Sequence, residues 1–192
     1  RSAQTALWHV TQSIVRAMAP ILSFTAEEAW PLLDRTTWAA QGETVFTQTF
    51  HAYPEVPQAE ALLAKWERLR AWRGEVTRAI EAVRVTGAIG SSLQAEVDVA
   101  ADGVLFEDLA SLGEDLRFVL ITSEARLREA ESGEVPAEAA ATGRIVVTPS
   151  AHLKCERCWH WRADVGHDAA HPGLCGRCTS NLHGAGEPRH VA

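Results

Sequence analysis

Apolar positions recur at spacings of three and four over residues 3–18, where Leu7, Val10, Ile14 and Ala17/Met18 form one stripe of a predicted helix. Pro20 ends or kinks it. Thr25 followed three residues on by Glu28 is a capping-box pattern, so a second short helix is expected to start at Thr25, with Pro31 limiting its length. Residues 34–58 show neither period. "ETVFTQTF" offers a short strand there, and Pro54 and Pro57 close the stretch. The helical period returns over 59–85, the longest predicted helix, with Leu62, Trp66, Leu69, Trp72, Val76, Ile80 and Val83 on one face. Its other face carries Glu67–Arg70, Glu75–Arg78 and Glu81–Arg84 as i,i+3 pairs.

"GAIGSS" breaks that helix at Gly87. "LQAEVDVAA" then alternates apolar and polar residues, as a strand with one buried face does. "VLFEDLASLGEDL" reads as a short helix, and the β-branched first half of "LRFVLITSEARLRE" as a strand. "ESGEVPAEAAATG" is a low-complexity loop, and "RIVVTPSA" is a third strand. There is no internal repeat. Helices, then a β-α-β-β unit, then a cysteine-rich end make the fold class α+β with an appended metal-binding module.

Composition narrows the picture. The 192 residues are 46% hydrophobic and include seven tryptophans, enough for one or two folded domains. No apolar run approaches the ~18 residues a membrane span needs, and no basic-then-apolar leader precedes the first helix. The chain enters helical sequence directly after Arg1-Ser2, with no initiator methionine, as a piece of a larger polypeptide would. The net charge of −7 argues against nucleic-acid binding by the surface as a whole. The balance is uneven, however. Residues 1–151 hold 13 Lys+Arg against 21 Asp+Glu, whereas 152–192 hold five against four, with six of the eight histidines. Any affinity for phosphate is therefore local.

All four cysteines stand in C-x2-C-x16-C-x2-C, formed by Cys155, Cys158, Cys175 and Cys178. Two residues between cysteines let both thiolates of a turn face one ion. Two such turns, on facing hairpin ends, complete a tetrahedron, with Gly166 and Gly176 fitting tight turns. The segment is too short for a self-sufficient core, and structural zinc supplies on the order of 10–16 kcal/mol of apparent binding energy to such modules. Four thiolates leave no open position for a catalytic water. Redox-active CxxC pairs are the alternative. Those sit at helix N-termini in thioredoxin-like settings, which the surrounding sequence does not suggest. A secreted disulfide framework would need an export signal. The six histidines compete as ligands but are unnecessary beside four well-spaced cysteines, and read as surface groups or as groups that orient the ligands.

Four thiolates on one Zn²⁺ leave a local charge of −2, offset by Lys154, Arg157, Arg162, Arg177 and Arg189, which are also placed to meet phosphates. Trp159 and Trp161 lie among them, and their alternation places them on one face if the segment is a strand. Exposed tryptophan beside arginine is a stacking platform for single-stranded bases; the alternative is that both rings pack on the zinc turns.

These stretches resemble a known family. "APILSFTAEEAW" (Ala19–Trp30) is similar to a recurring stretch in the anticodon-binding helical domain of class I aminoacyl-tRNA synthetases. "WERLRAWRGEVTRAIEAVRVTGAIGSSLQAEV" (Trp66–Val97) looks like the helix and turn that follow it in the isoleucine and valine branch. "KCERCWHW" and "CGRCTSNLHGAGEPRHVA" resemble the C-terminal zinc module of bacterial isoleucyl-tRNA synthetases. The resemblance implies three parts: 1–57 as the end of the anticodon-binding helical domain, 58–150 as an α+β junction domain, and 151–192 as a four-cysteine, zinc-ribbon-like module. It implies a cytoplasmic, monomeric parent that attaches isoleucine to tRNA(Ile) using ATP. The family's His-Ile-Gly-His and Lys-Met-Ser-Lys-Ser signatures do not occur in this chain, so the fragment is expected to bind no ATP and catalyse nothing alone. Its role would be to hold the anticodon arm so that the acceptor end reaches a distant active site. Carried over residue by residue, the resemblance makes Cys155, Cys158, Cys175 and Cys178 ligands of one structural zinc. It makes Trp159, Arg157, Arg177, Asn181 and Arg189 RNA contacts. Arg70, Arg73 and Arg78 either touch the tRNA backbone or serve only as solvated helix pairs. Two other classes stand beside this reading: the zinc finger of a DNA-repair glycosylase, for which Arg1-Ser2 offers no N-terminal nucleophile, and a zinc-stapled protein-interaction module.

Overall fold

The 3–18 periodicity becomes helix α1 (Ser2–Met18) in the computed structural model, which describes residues 2–33, 44–136, 139 and 141–187. The predicted stripe is not the buried one. Leu7, Val10 and Ile14 are exposed, while Val15 and Ala19 pack with Ala26, Trp30 and Val45. The face of α1 that meets Trp30 of the next helix is the one carrying Val15. Arg16 lies 4.6 Å over the Trp30 ring. The chain turns tightly after α1, with the N–H groups of Ile21 and Leu22 both bonded to the Met18 carbonyl. Helix α2 (Ser23–Leu33) therefore starts two residues before Thr25 and includes Pro31 near its end, where loss of one intrahelical bond is tolerated. The expected strand at "ETVFTQTF" is instead a 3₁₀ turn, Val45–Thr47. A Glu27 carboxylate oxygen accepts from Thr44 Oγ1 at 2.7 Å and from the Val45 N–H at 3.0 Å, which fixes that turn. These elements form one compact unit within Arg1–Pro57; the second unit is Gln58–Glu187.

In the second unit α3 (Ala59–Val85) is the expected long helix. Only its second half is sequestered: Leu69, Trp72, Val76 and Ile80 are buried, whereas Leu62 and Trp66 are exposed. Glu75–Arg78 and Glu81–Arg84 pair as expected, while the Nε of Arg70 turns back to the Trp66 carbonyl. After a 3₁₀ turn, Ser92–Gln94, come β1 (Ala95–Ala101), α4 (Gly103–Ala110), a second 3₁₀ turn (Gly113–Asp115), α5 (Leu116–Leu120), β2 (Glu124–Glu129) and β3 (Arg144–Pro149). The order across the sheet is β2-β1-β3, with β1 parallel to β2 and antiparallel to β3. Ala95, Val97, Val99 and Ala101 point to one face, where they meet the buried stripe of α3 together with Leu109, Leu116 and Leu120. On the other face Arg126 bridges Asp98 at 2.7 Å and Glu96 at 2.9 Å. The Trp72 Nε1–H donates to the Thr142 carbonyl at 3.0 Å, tying the loop before β3 to α3.

One element is displaced from its expected place. "LRFVLI" is helix, and the strand of that segment lies in the second half, at Glu124–Glu129. Leu116 and Leu120, four apart, both enter the core alongside α3, as neighbours on one helix face do. The helix ends at Ile121, whose φ of 59° is left-handed.

The C-terminal part contains β4 (Leu153–Lys154), β5 (Trp161–Arg162) and α6 (Gly176–His183). Among the described residues no helix is long and apolar enough to cross a membrane.

Candidate metal centre and nucleic-acid interface

The first cysteine turn is the tip of the β4–β5 hairpin, where Leu153 pairs with Arg162 and Lys154 with Trp161. Two crossed backbone bonds close it: Trp159 N–H to the Cys155 carbonyl at 2.9 Å, and Cys155 N–H to the His160 carbonyl at 2.8 Å. The second turn is not a hairpin. Cys175 is the N-cap of α6 and Cys178 lies in its first turn. A CxxC at a helix N-terminus does occur here, contrary to expectation, so helix placement does not argue against a redox pair; what favours a shared ion is the convergence of all four sulfurs. Asp164 Oδ2 accepts from the Gly176 N–H at 2.9 Å and would lie 2.8 Å from any Cβ at that position, which accounts for the glycine. Gly166, at φ +91°, provides the turn between the two halves.

Cys155, Cys175 and Cys178 are buried, Cys158 is half-buried, and their four Sγ atoms lie within 4.8 Å of one another. Cys158 and Cys175 Sγ stand 3.8 Å apart, the edge of a tetrahedron with metal–sulfur bonds of about 2.3 Å. At a disulfide the same atoms would be about 2 Å apart. The residues present therefore fit a tetrahedral zinc. Ionisation is uneven among them. Burial opposes charge at Cys155, but the backbone N–H groups of Cys158, Cys175 and Arg157 outweigh it and take the thiol down to about 6. Burial pushes Cys158 and Cys175 up. A divalent cation is what allows all four to be thiolates together. Of the backbone donors to Cys155, the Cys175 N–H stands 3.4 Å from Sγ, and one further donor, Arg157 Nη1, lies 3.7 Å from Cys178 Sγ. Among the described residues the histidines stay out of the cluster. His160 bonds through Nδ1 to the Cys158 carbonyl at 3.1 Å, and His171 stacks on His183 with ring centres 3.8 Å apart.

Trp159 is 59% exposed and adopts φ 66°. The knuckle's two hydrogen bonds force this left-handed conformation, which turns the indole outward. Trp161 is half-buried, and Lys154 Nζ sits 5.4 Å from the ring centre of each tryptophan, a cation between two aromatic faces. The strand expected to carry both rings begins only at Trp161, with Trp159 in the turn before it, and spacing gives no hint that Lys154 lies between them. The remaining candidates are spread out. Arg157 is exposed beside the second turn. Arg177 is held by Glu187, with Nη2 to Oε1 at 2.9 Å. Asn181 Oδ1 accepts the Glu187 N–H at 3.1 Å. Arg189 lies outside the described residues. On α3, Arg73 is committed through Nε to the Val119 carbonyl at 2.7 Å, and Arg78 to Glu75. Phe118 and Arg117, which sequence reading missed, border the module. The Phe118 ring meets His160 edge-on at 5.8 Å and has the guanidinium groups of Arg117 and Arg177 within 4.8 and 5.1 Å. Their only signal was a basic residue next to an aromatic one, inside a segment that read as a strand.

Residues 153–181 match the family described as "Zinc finger found in FPG and IleRS". Over its whole length the chain is 58% identical to an isoleucine–tRNA ligase of Bordetella petrii, 57% to one of Cupriavidus taiwanensis and 54% to one of Paraburkholderia xenovorans. It spans about a fifth of each of those proteins: 20%, 19% and 19% of their lengths. The zinc-finger description names two kinds of protein, whereas these relatives are of one kind. Residues 1–99, more than half of the chain, match the family described as "Anticodon-binding domain of tRNA ligase", and to that family the chain belongs.

Proposed function

We propose that the chain is the C-terminal tRNA-binding portion of an isoleucine–tRNA ligase, a cytoplasmic, monomeric enzyme that uses ATP to attach isoleucine to tRNA(Ile). In this reading Cys155, Cys158, Cys175 and Cys178 hold one structural zinc, which sets the shape of the module and takes no part in chemistry. The module presents Trp159, with Lys154 behind it and Arg157 beside it, to unpaired bases of the anticodon arm. Arg177, Asn181 and Arg189 extend the surface; Arg177 reaches a phosphate by exchanging Glu187 for it. ATP and the aminoacyl transfer belong to the rest of the synthetase. The three-part division at 57/58 and 150/151 is supported at its first boundary by the break between the two compact units, and at its second by the separate small core of Cys155, Val165, Cys175 and Cys178.

The observation that carries the reading is a large aromatic residue held outward, in a backbone conformation L-residues avoid, by the turn that also positions two sulfurs. Strain of this kind, on a side chain with no core to fill, marks a surface built for contact. The test is Trp159→Ala in the full-length synthetase. Isoleucine- and ATP-dependent pyrophosphate exchange is expected to stay intact while charging of tRNA(Ile) falls by about ten- to hundredfold, as for loss of one stacked base. Undiminished charging would overturn the reading in favour of a module that binds protein.

A further inference from the structure

At the start of β2 two hydroxyl residues, Thr122 and Ser123, are fully buried, at 0% and 1% exposure. The Ser123 hydroxyl uses both its capacities. It donates to the Leu93 carbonyl and accepts the Trp161 N–H at 2.6 Å. Its own N–H bonds to the Ala95 carbonyl at 3.0 Å, and its carbonyl accepts from Arg162 Nη1 at 3.4 Å. The same guanidinium reaches Glu124 Oε2 at 3.1 Å. One residue thus joins the 3₁₀ turn before β1, the end of β2 and the zinc hairpin. The bond to Trp161 comes from the half of the hairpin whose ring faces Lys154 and, through it, Trp159.

The approach to Ser123 is strained. Ile121, β-branched, stands at φ 59°, where such residues are genuine outliers. The turn is held by N–H bonds of Ile121 to the Phe118 carbonyl at 3.2 Å and of Thr122 to the Arg117 carbonyl at 3.0 Å. This exit from α5 leads directly to Ser123 beneath the hairpin. Strain persists where the surroundings over-determine a geometry, and here the geometry it serves is the seat of the zinc module.

We infer that Ser123 is a positioning residue for tRNA recognition: it sets the orientation of the zinc module on the β1–β2 ends, and so the direction in which Trp159 faces. This rests on the proposed role of Trp159 but is tested apart from it. The protein is the full-length synthetase carrying spin labels on unnatural amino acids at Thr77 of α3 and Ala169 of the module, with Ser123→Ala introduced. The label-to-label distance distribution is expected to broaden. Zinc content should stay at one per chain, pyrophosphate exchange should be unchanged, and KM for tRNA(Ile) should rise about tenfold with kcat within about twofold, the scale of one buried donor left unpaired. Ser123→Thr, which keeps the hydroxyl, is expected to restore both distribution and KM. A distribution as narrow as in the parent, or an unchanged KM, overturns the inference. Should Ser123→Ala lose zinc or solubility, Arg162→Ala replaces it. That variant removes the guanidinium that reaches the Ser123 carbonyl and Glu124; it is read by the distance distribution alone, which is expected to broaden less in the same direction, and no broadening there overturns the inference as well. If Trp159→Ala leaves charging intact while Ser123→Ala still broadens the distribution, it is the tRNA reading that fails, and the seat stands as a structural hinge only.

Discussion

The left-handed backbone at Trp159 gives a prediction whose sign is opposite to the ordinary one. In a helix or strand, glycine is less stable than alanine by roughly 0.5–1 kcal/mol, because it loses more freedom on folding. At φ 66° an L-residue carries a penalty of roughly 1–2 kcal/mol that glycine escapes. Trp159→Ala and Trp159→Gly both remove the indole, its partial burial and its contact with Lys154, so those losses cancel between them. What remains is the relieved strain minus the entropy of glycine, about 1 kcal/mol in favour of glycine. With zinc held as proposed, folding of the module is coupled to metal binding, and that difference enters the apparent zinc affinity as a factor of about five. The assay is chelator competition on the two variants in one synthetase background, with tRNA charging measured alongside. Glycine is expected to hold zinc about fivefold more tightly than alanine, while both charge tRNA equally poorly. Equal affinities, or alanine the tighter, would refute the claim that the knuckle forces the ring outward against a backbone preference.

Metal analysis of the purified protein is expected to give one zinc per chain, and its removal to abolish amide protection over 153–183 while β1–β3 stay protected. Leu109→Ala, which empties a fully buried position beneath the sheet, is expected to lower stability by about 2–5 kcal/mol in denaturant titration. Glu134 makes the loop between β2 and β3 acid-sensitive. Its ion pair with Arg128, then the Glu131 N–H, hold its carboxyl at about 2, below the ordinary 4.5. A depressed carboxylate stabilises the folded form above its unfolded value and ceases to as the pH falls through the folded one. Exchange protection in residues 131–136 should therefore decline between about pH 4.5 and 2, and Glu134→Gln should abolish that dependence.

The sequence was most legible where one physical requirement acts alone. The sulfur spacing is a coordination requirement, and the four sulfurs meet. The apolar stripe of α3 from Leu69 to Ile80 and the alternation of β1 are burial requirements, and both are met. Reading failed where several faces compete. In α1 the regular stripe of Leu7, Val10 and Ile14 is exposed and Val15 is buried instead, and periodicity does not reveal which of two apolar faces a neighbour will cover. In α5 the run "LRFVLI" is too short for a period of two to be told from one of 3.6. The site divides the same way. The four cysteines and Trp159 stand out by type and spacing. Lys154 and Ser123 act through geometry between segments far apart in sequence, and nothing in a serine's neighbours says that both lone pair and proton will be used.

The sheet is complete once Pro149 lies against Ala95, six residues before the first sulfur. As the chain leaves the ribosome, everything that forms the socket, including Leu93 and the buried hydroxyl at 123, has therefore been made before Cys155 appears. None of the four sulfurs belongs to that sheet; all lie in the segment that follows it. In the proposed zinc-bound reading, chains made without the ion would carry a finished sheet and an unformed segment over 153–183, to be completed when the ion returns.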